Sequence, residues 1–441
     1  MNEIFLKITR CFILMSLFLI SYILYKSEFI NSGLNREDYL IIFIFLIIIF
    51  ILSCINFFKK KEEQFKINLL LLSTIFCIYL VEFFLYFFPK NENIVEKLKL
   101  EKKTNPSIDS RDRFEFFNFS NSKNEEVVLR FTPDNWINSS SGIFPLGGVG
   151  NKNTMLCNES GKWITFQSDR YGFNNSDLLW DQEIFYLLVG DSFTQGDCVD
   201  SEKNIASNLS KLSKKKVLNL GYGGNGPLIE LAALVEYSEL IKPKHIIWFY
   251  YEGNDLLDFN IEIKNEILLK YLKDKSFKQN LIDKQDEINL LIKNETDKIK
   301  QNYSSYNVKR NIISFIKLKK VRALFSKKEK IMTKDFKSVF VKAKSIAETL
   351  DSNFTVIIIP SYERYREKQN FISNKKKIEV LDRHILNFEN FLKTEKINFI
   401  NLNDDLFSNI KDPLSFFPFR YNNHFSEKGY YLISNFLNNN L

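Results

Sequence analysis

Three apolar runs close to the start of the chain constrain it more than any other feature. Tyr39 to Phe58 reads YLIIFIFLIIIFILSCINFF, 20 residues without a charge, which matches the length needed to cross a bilayer core as a helix. Ile67 to Phe88 repeats the pattern, interrupted only by Glu82 near its end. Cys11 to Tyr25 is shorter and has the look of a signal-peptide core, yet KSEFINSG follows where a small-residue cleavage site would be expected. A retained helix is therefore expected, with Lys7 and Arg10 snorkelling at its start. Core helices of a soluble protein would not run consecutively with charged punctuation between them, so three membrane spans are the reading.

Orientation follows from the lysines and arginines of the short loops. Lys7 and Arg10 precede the first run, and Lys59, Lys60, Lys61 and Lys66 separate the second from the third. The first two runs are separated by only Lys26 and Arg36. The N-terminus and the KKKEEQFK loop are thus expected in the cytoplasm, and everything after Phe88 outside the inner membrane. The net charge of +8 then says little about nucleic acid, which an exported domain does not meet. Cys11, Cys54 and Cys77 fall in the spans and read as packing residues, whereas Cys157 and Cys198 fall in the exported part and are expected to form one disulfide. It would tie the loop before the candidate catalytic strand to the segment just after it.

Three regions are expected: a membrane domain over 1–90, a stalk and β-rich lead-in over 91–180, and an α/β domain over 181–441 with a helical insertion at about 260–330. The lead-in shows short alternations such as VVLRF and KWITF between Asn, Gly, Ser and Pro clusters. Beyond it come five strand candidates: Ile184–Val189, Val217–Leu220, His245–Tyr251, Phe354–Ile359 and Ile397–Leu402. Helical patterns at Leu228–Leu240 and Lys376–Lys393 lie among them. Strands alternating with helices predict parallel βαβ units, whose ligand sites form at the carboxyl ends of the strands. The insertion is rich in Lys and Glu and carries Ile288, Leu291 and Ile292 on one helical face. It reads either as a solvated hairpin or as a lid or partner surface.

Four segments follow predicted strands or precede the last helix. LLVGDSFTQG places Ser192 in a strand-to-helix turn; NLGYGGNGP lets backbone approach a ligand at Gly224; YYEGND offers the Asn254 side-chain amide; NNHFSEKGYYLI offers His424 in a polar loop. Each alone is an ordinary turn or cap. The other two histidines, His245 in a strand and His384 in an amphipathic helix, read as structural. The sequence contains no zinc-type Cys/His spacing, Walker motif or dinucleotide fingerprint, so no metal or cofactor is expected.

In this order the four segments resemble the SGNH (GDSL-type) hydrolase family, over Ile184 to about Asn440. Ser192 matches the family's nucleophile, Gly224 and Asn254 its glycine and asparagine, and His424 its histidine. SDRYGFNN, Ser168 to Asn175, resembles a strand and turn that often precede the nucleophile in envelope members. The resemblance implies a three-layer, flavodoxin-like α/β/α sandwich. It also implies His424 as the base for Ser192, and an oxyanion hole made of the Ser192 and Gly224 N–H groups and the Asn254 amide. The family places an Asp two or three residues before the histidine, where this chain has Asn422 and Tyr421. Asn422 is expected to orient His424 without bringing a charge, unless Asp404, Asp405 or Asp412 serves instead. The function implied is an envelope esterase or O-acyltransferase on acylated glycans. A transferase would need a multi-spanning partner to bring the acyl donor across the bilayer. A non-catalytic binding or assembly subunit of a polysaccharide-export or glycan-modification system is the alternative, motivated by the absent Asp and the large helical insertion.

Overall fold

The three apolar runs are helical: α1 (Asn2–Leu24), α2 (Arg36–Phe57) and α3 (Lys61–Phe87). All three are long and apolar enough to cross a membrane. The structure is a computed structural model that describes residues 2–30, 36–87, 94–123, 126–139, 141–325, 332–366, 371–421 and 424–441. Leucines, isoleucines and phenylalanines cover the outside of these helices, while Thr9, Asn56 and Asn68 are buried together inside. The Asn56 amide donates to Asn68 Oδ1 (3.0 Å) and Thr9 Oγ1 (3.2 Å), and the Asn68 amide to the Phe5 carbonyl (3.0 Å). Small polar side chains bonded across helices are the usual glue where no water competes for them.

The chain divides into two compact units. One comprises Met1–Asn91 with Ile299–Glu329, the other Glu92–Lys298 with Lys330–Leu441. The segment expected to be a helical insertion is helical over Gln285–Ile316 and Lys319–Phe325, and it contributes to both units. Ile288 and Ile292, on the face picked out by their spacing, are buried in the second unit.

The lead-in opens differently from its expected β character. Arg113–Ser122 is a helix. Asp112 decides this: its carboxylate accepts the Phe114 and Glu115 N–H groups, and Glu115 accepts the Asp112 N–H in return, a capping box. Three short strands follow, β1 (Val127–Leu129), β2 (Asn153–Met155) and β3 (Thr165–Gln167), in a sheet of order β1-β2-β3.

Five parallel strands form the main sheet: β4 (Tyr186–Val189), β5 (Val217–Asn219), β6 (His245–Tyr251), β7 (Asn353–Ile359) and β8 (Asn398–Asn401). They run as near-continuous apolar segments because both faces are covered. Leu188, Phe249 and Ile357 meet the helices Ile205–Ser213 and Glu427–Asn440 through Leu209, Ile433 and Leu437. Trp248 and Tyr250 point the other way, against Phe336 and Phe340 of Lys334–Thr349 and Phe388 of Phe371–Thr394. The strand order β5-β4-β6-β7-β8 puts β4 between β5 and β6. The loops that leave those three carboxyl ends carry Ser192, Gly224 and Asn254, so the topology alone gathers three residues that lie far apart in sequence.

Candidate active site

The turn after β4 is built to present one serine. A Cβ on Gly190 would lie 2.1 Å from Thr194 Oγ1 and 3.0 Å from the Phe249 carbonyl, so only glycine fits between strand and turn. Asp191 caps the short helix Ser192–Gln195 by accepting the Phe193 N–H at 2.9 Å. Burial raises the Asp191 carboxyl to about 6. The turn closes at Gly196, whose φ of 83° is one that side chains disfavour. Ser192 stays partly exposed, and its Oγ lies 2.8 Å from His424 Nε2.

His424 stands just ahead of the final helix, which starts at the Ser426 cap. Its ring packs against Phe193 at a centroid distance of 4.8 Å. The far side of the imidazole meets a residue that the sequence reading did not single out. Glu159 Oε1 lies 2.9 Å from His424 Nδ1, while Oε2 accepts the His424 backbone N–H, also at 2.9 Å. One carboxylate thus grips both ring and backbone of the same residue, which fixes the ring's orientation and directs Nε2 at the serine.

Glu159 thus occupies Nδ1, the place at which Asn422 was expected. Asn422 lies outside the described residues, and the alternative acids are engaged elsewhere. Asp412 pairs with Arg420, Asp405 accepts the Asn401 N–H, and Asp404 accepts from the Asn401 and Asn403 amides. The acid comes from the lead-in, 265 residues before the histidine.

Glu159 is itself firmly held. The Asn158 amide donates to the Asp109 carbonyl (2.7 Å), and Asn158 Oδ1 accepts the Gly161 N–H (2.8 Å). Cys157, two residues away, is bonded to Cys198, six residues past the nucleophile. Cys198 Sγ lies within 4.8 Å of ligand atoms of Glu159 and His424, but it is spent in the disulfide and offers no thiolate to a metal. Ser168–Asn175 fastens the rest of the lead-in to the main sheet. Buried Asp169 accepts N–H groups from Tyr171, Phe173, Asn175 and Trp180, and Asn175 exchanges hydrogen bonds with the Asn219 backbone at the end of β5. The Asn174 amide reaches the Gln195 carbonyl (3.1 Å) in the nucleophile's own helix.

Electrostatics favour a charged His424. Burial by itself pushes the imidazole down, but the Glu159 carboxylate, through charge and hydrogen bond, overturns this and lifts it to about 9, with Asp197 and Asp191 adding to the rise. Gly224, in the loop after β5, is exposed with φ of 82°. A Cβ there would lie 2.6 Å from Asp134 Oδ1. Asn254 spends one amide hydrogen on Asp258 Oδ2 (2.6 Å), which leaves the other for a ligand. Arg130, just after β1, is a second lead-in residue not singled out by its sequence context. Its Nη1 donates to Asp197 Oδ1 (2.6 Å) and Gln195 Oε1 (3.0 Å), and Gln195 Oε1 also accepts the Gly223 N–H (2.7 Å). The other two histidines are structural: His245 pairs with Thr355 Oγ1 (2.9 Å) and His384 with the Tyr250 hydroxyl (2.6 Å).

No protein-family model matches the chain, and none of the curated proteins is similar to it. Among solved structures it is similar to a protein assigned to the G-D-S-L lipolytic family, from Desulfitobacterium hafniense DCB-2. The identity is 15%, the match covers 59% of this chain and 100% of that one, and the TM-score is 0.33. A likeness that distant says nothing of chemistry, which has to come from the residues.

Proposed function

We propose that the chain is a membrane-anchored serine esterase or O-acyltransferase that works through an acyl-serine intermediate. The observation that carries this reading is the run of contacts Glu159–His424–Ser192, at 2.9 and 2.8 Å, the arrangement of acid, base and nucleophile that activates a serine hydroxyl. In the first step neutral His424 takes the Ser192 proton at Nε2 while Oγ bonds to the ester carbonyl carbon. Glu159 holds the Nδ1 hydrogen and offsets the charge of the imidazolium. Collapse of the tetrahedral adduct breaks the ester C–O bond, and the leaving alcohol takes the proton from Nε2. Water or a sugar hydroxyl then attacks the acyl-serine by the same route in reverse. Backbone N–H groups of Ser192 and Gly224 and the second Asn254 hydrogen form the oxyanion hole, in a three-layer sandwich of the flavodoxin type.

An ester of an envelope glycan, acetyl above all, is the substrate class that fits a catalytic domain tethered on the outer side of the inner membrane. The alternative of a non-catalytic assembly subunit drew on the absent Asp and on the large helical insertion; Glu159 answers the first of these. A fluorophosphonate probe on the full chain in detergent tests the reading. Labelling that vanishes in Ser192→Ala and His424→Ala, and falls steeply in Glu159→Gln, supports it. Absence of labelling in the folded wild-type chain contradicts it.

A further inference from the structure

The insertion places a strongly basic segment against the apolar helices. Residues 299–329 hold nine lysines and arginines against one acid, a surplus of eight that equals the +8 of the entire chain; everything else balances. These residues belong to the same compact unit as α1–α3. Glu82, the one charge inside the third apolar run, is fully buried there, and its two oxygens accept the backbone N–H groups of Lys320 (3.0 Å) and Val321 (2.7 Å) at the start of the Lys319–Phe325 helix. A lone carboxylate among apolar helices is costly, and these amides compensate it. The Tyr79 hydroxyl donates to the Ile316 carbonyl (3.0 Å), its ring meets Phe315, and the Arg322 guanidinium lies over the Tyr39 ring. Tyr79 and Glu82 are near the end of α3 and Tyr39 near the start of α2. The segment therefore docks at the end of the helices opposite the Lys59–Lys61 turn.

Its outer side is mixed in a particular way. Ile312, Ile313 and Ile316 are exposed along one helical face, Leu324 is exposed on the next helix, and Lys317, Lys319 and Lys320 are exposed between them. Apolar residues contiguous with lipid-facing helices, interleaved with lysines, are what a segment lying in a bilayer interface presents.

We propose that residues 312–325 are such an interfacial element, with Ile312, Ile316 and Leu324 among the acyl chains and Lys317, Lys319 and Lys320 at anionic phospholipid headgroups. The proposal rests on the reading that α1–α3 span a membrane. The chain passes between the two units at three places, after Asn91, Lys298 and Glu329, so the segment that carries the interfacial element adds two covalent attachments between the catalytic unit and the membrane unit to the one following α3.

Site-directed spin labelling of the full chain in nanodiscs of phosphatidylcholine and phosphatidylglycerol tests it, with Cys11, Cys54 and Cys77 replaced by alanine and the disulfide kept. Nitroxides are placed through Ile312→Cys, Ile316→Cys and Leu324→Cys. Phe76→Cys on α3 serves as the lipid reference and Leu290→Cys, exposed in the second unit, as the water reference. The expected result is an oxygen-to-nickel-chelate accessibility ratio at the three sites several-fold above that of the Leu290 site and close to that of the Phe76 site. Ratios as low as at the Leu290 site, with the Phe76 site high, would overturn the proposal, leave the spans intact and point the lysines to a soluble polyanion. A low ratio at the Phe76 site would overturn the membrane reading and the proposal with it. Removing phosphatidylglycerol is expected to lower the ratio at the Leu324 site and leave the Phe76 site unchanged; an unchanged Leu324 site would overturn the headgroup contact.

Discussion

The two halves of the candidate site come from regions with different architecture. Ser192 and Asn254 stand at adjacent ends of a parallel sheet, held by a glycine that nothing larger can replace and by strands buried on both faces. Glu159 stands on the turn between β2 and β3 of the lead-in, a sheet of three strands of three residues each, held by an asparagine side chain and a disulfide. The regular region positions by topology, and the irregular one by cross-links. If the two halves act as one relay, changes on the sheet side should remove chemistry outright, whereas changes on the lead-in side should detune it.

The largest effect is expected from Ser192→Ala or His424→Ala, each lowering turnover of a model ester by on the order of 10⁶, with the double variant no worse than either alone. Glu159→Gln should cost about 10⁴, since a neutral amide holds the ring without stabilising its charge; steady-state rates on one activated ester would rank these variants. Asn254→Ala should cost about 10²–10³ in kcat with little change in KM. Replacing Cys157 and Cys198 by alanine should cost about 4 kcal/mol in the unfolding free energy for a separation of 41 residues. Its effect on turnover should stay below that of Glu159→Gln, about 10- to 100-fold, because the Asn158 and Asp169 networks still hold the loop. Denaturant melts and kinetics on the same sample separate the two. Asn422→Asp is the smallest, expected to stay within about threefold of wild type. A large gain there would mean that Glu159 does not serve the histidine, and the comparison between the halves would collapse.

The sheet side was legible because each of its residues sits at the end of a readable strand, and parallel topology brings strand ends together. Expected and observed strand bounds differ by a residue or two at most; His245–Tyr251 coincides. Glu159 was not legible by that logic, since no periodicity leads to it and 265 residues separate it from its partner. A signal was nevertheless present. Once Cys157 is expected to reach Cys198, six residues beyond Ser192, the acid nearest to Cys157 is carried to the nucleophile, and that acid is Glu159. The helix at Arg113–Ser122 was hidden differently: its phenylalanines at 114, 116, 117 and 119 follow no clean helical or strand period, and the signal was the Asp112–Glu115 capping box, in plain sequence. The partition of the 260–330 segment between two units has no counterpart in its composition, although the pile-up of charge after Ile299 marks where its surroundings change.

The pH dependence of fluorophosphonate labelling, wild type against Glu159→Gln, is the sharpest test of whether Glu159 drives the His424–Ser192 pair. His424 must be neutral to take the serine proton, so labelling should rise with pH through the histidine's own value. Glu159 lifts that value above the ordinary 6.5 to about 9. A wild-type midpoint near 9 is expected, displaced down towards 6.5 in Glu159→Gln together with a much lower plateau. A midpoint and plateau unmoved by Glu159→Gln would show that another group orients His424 and would contradict the relay.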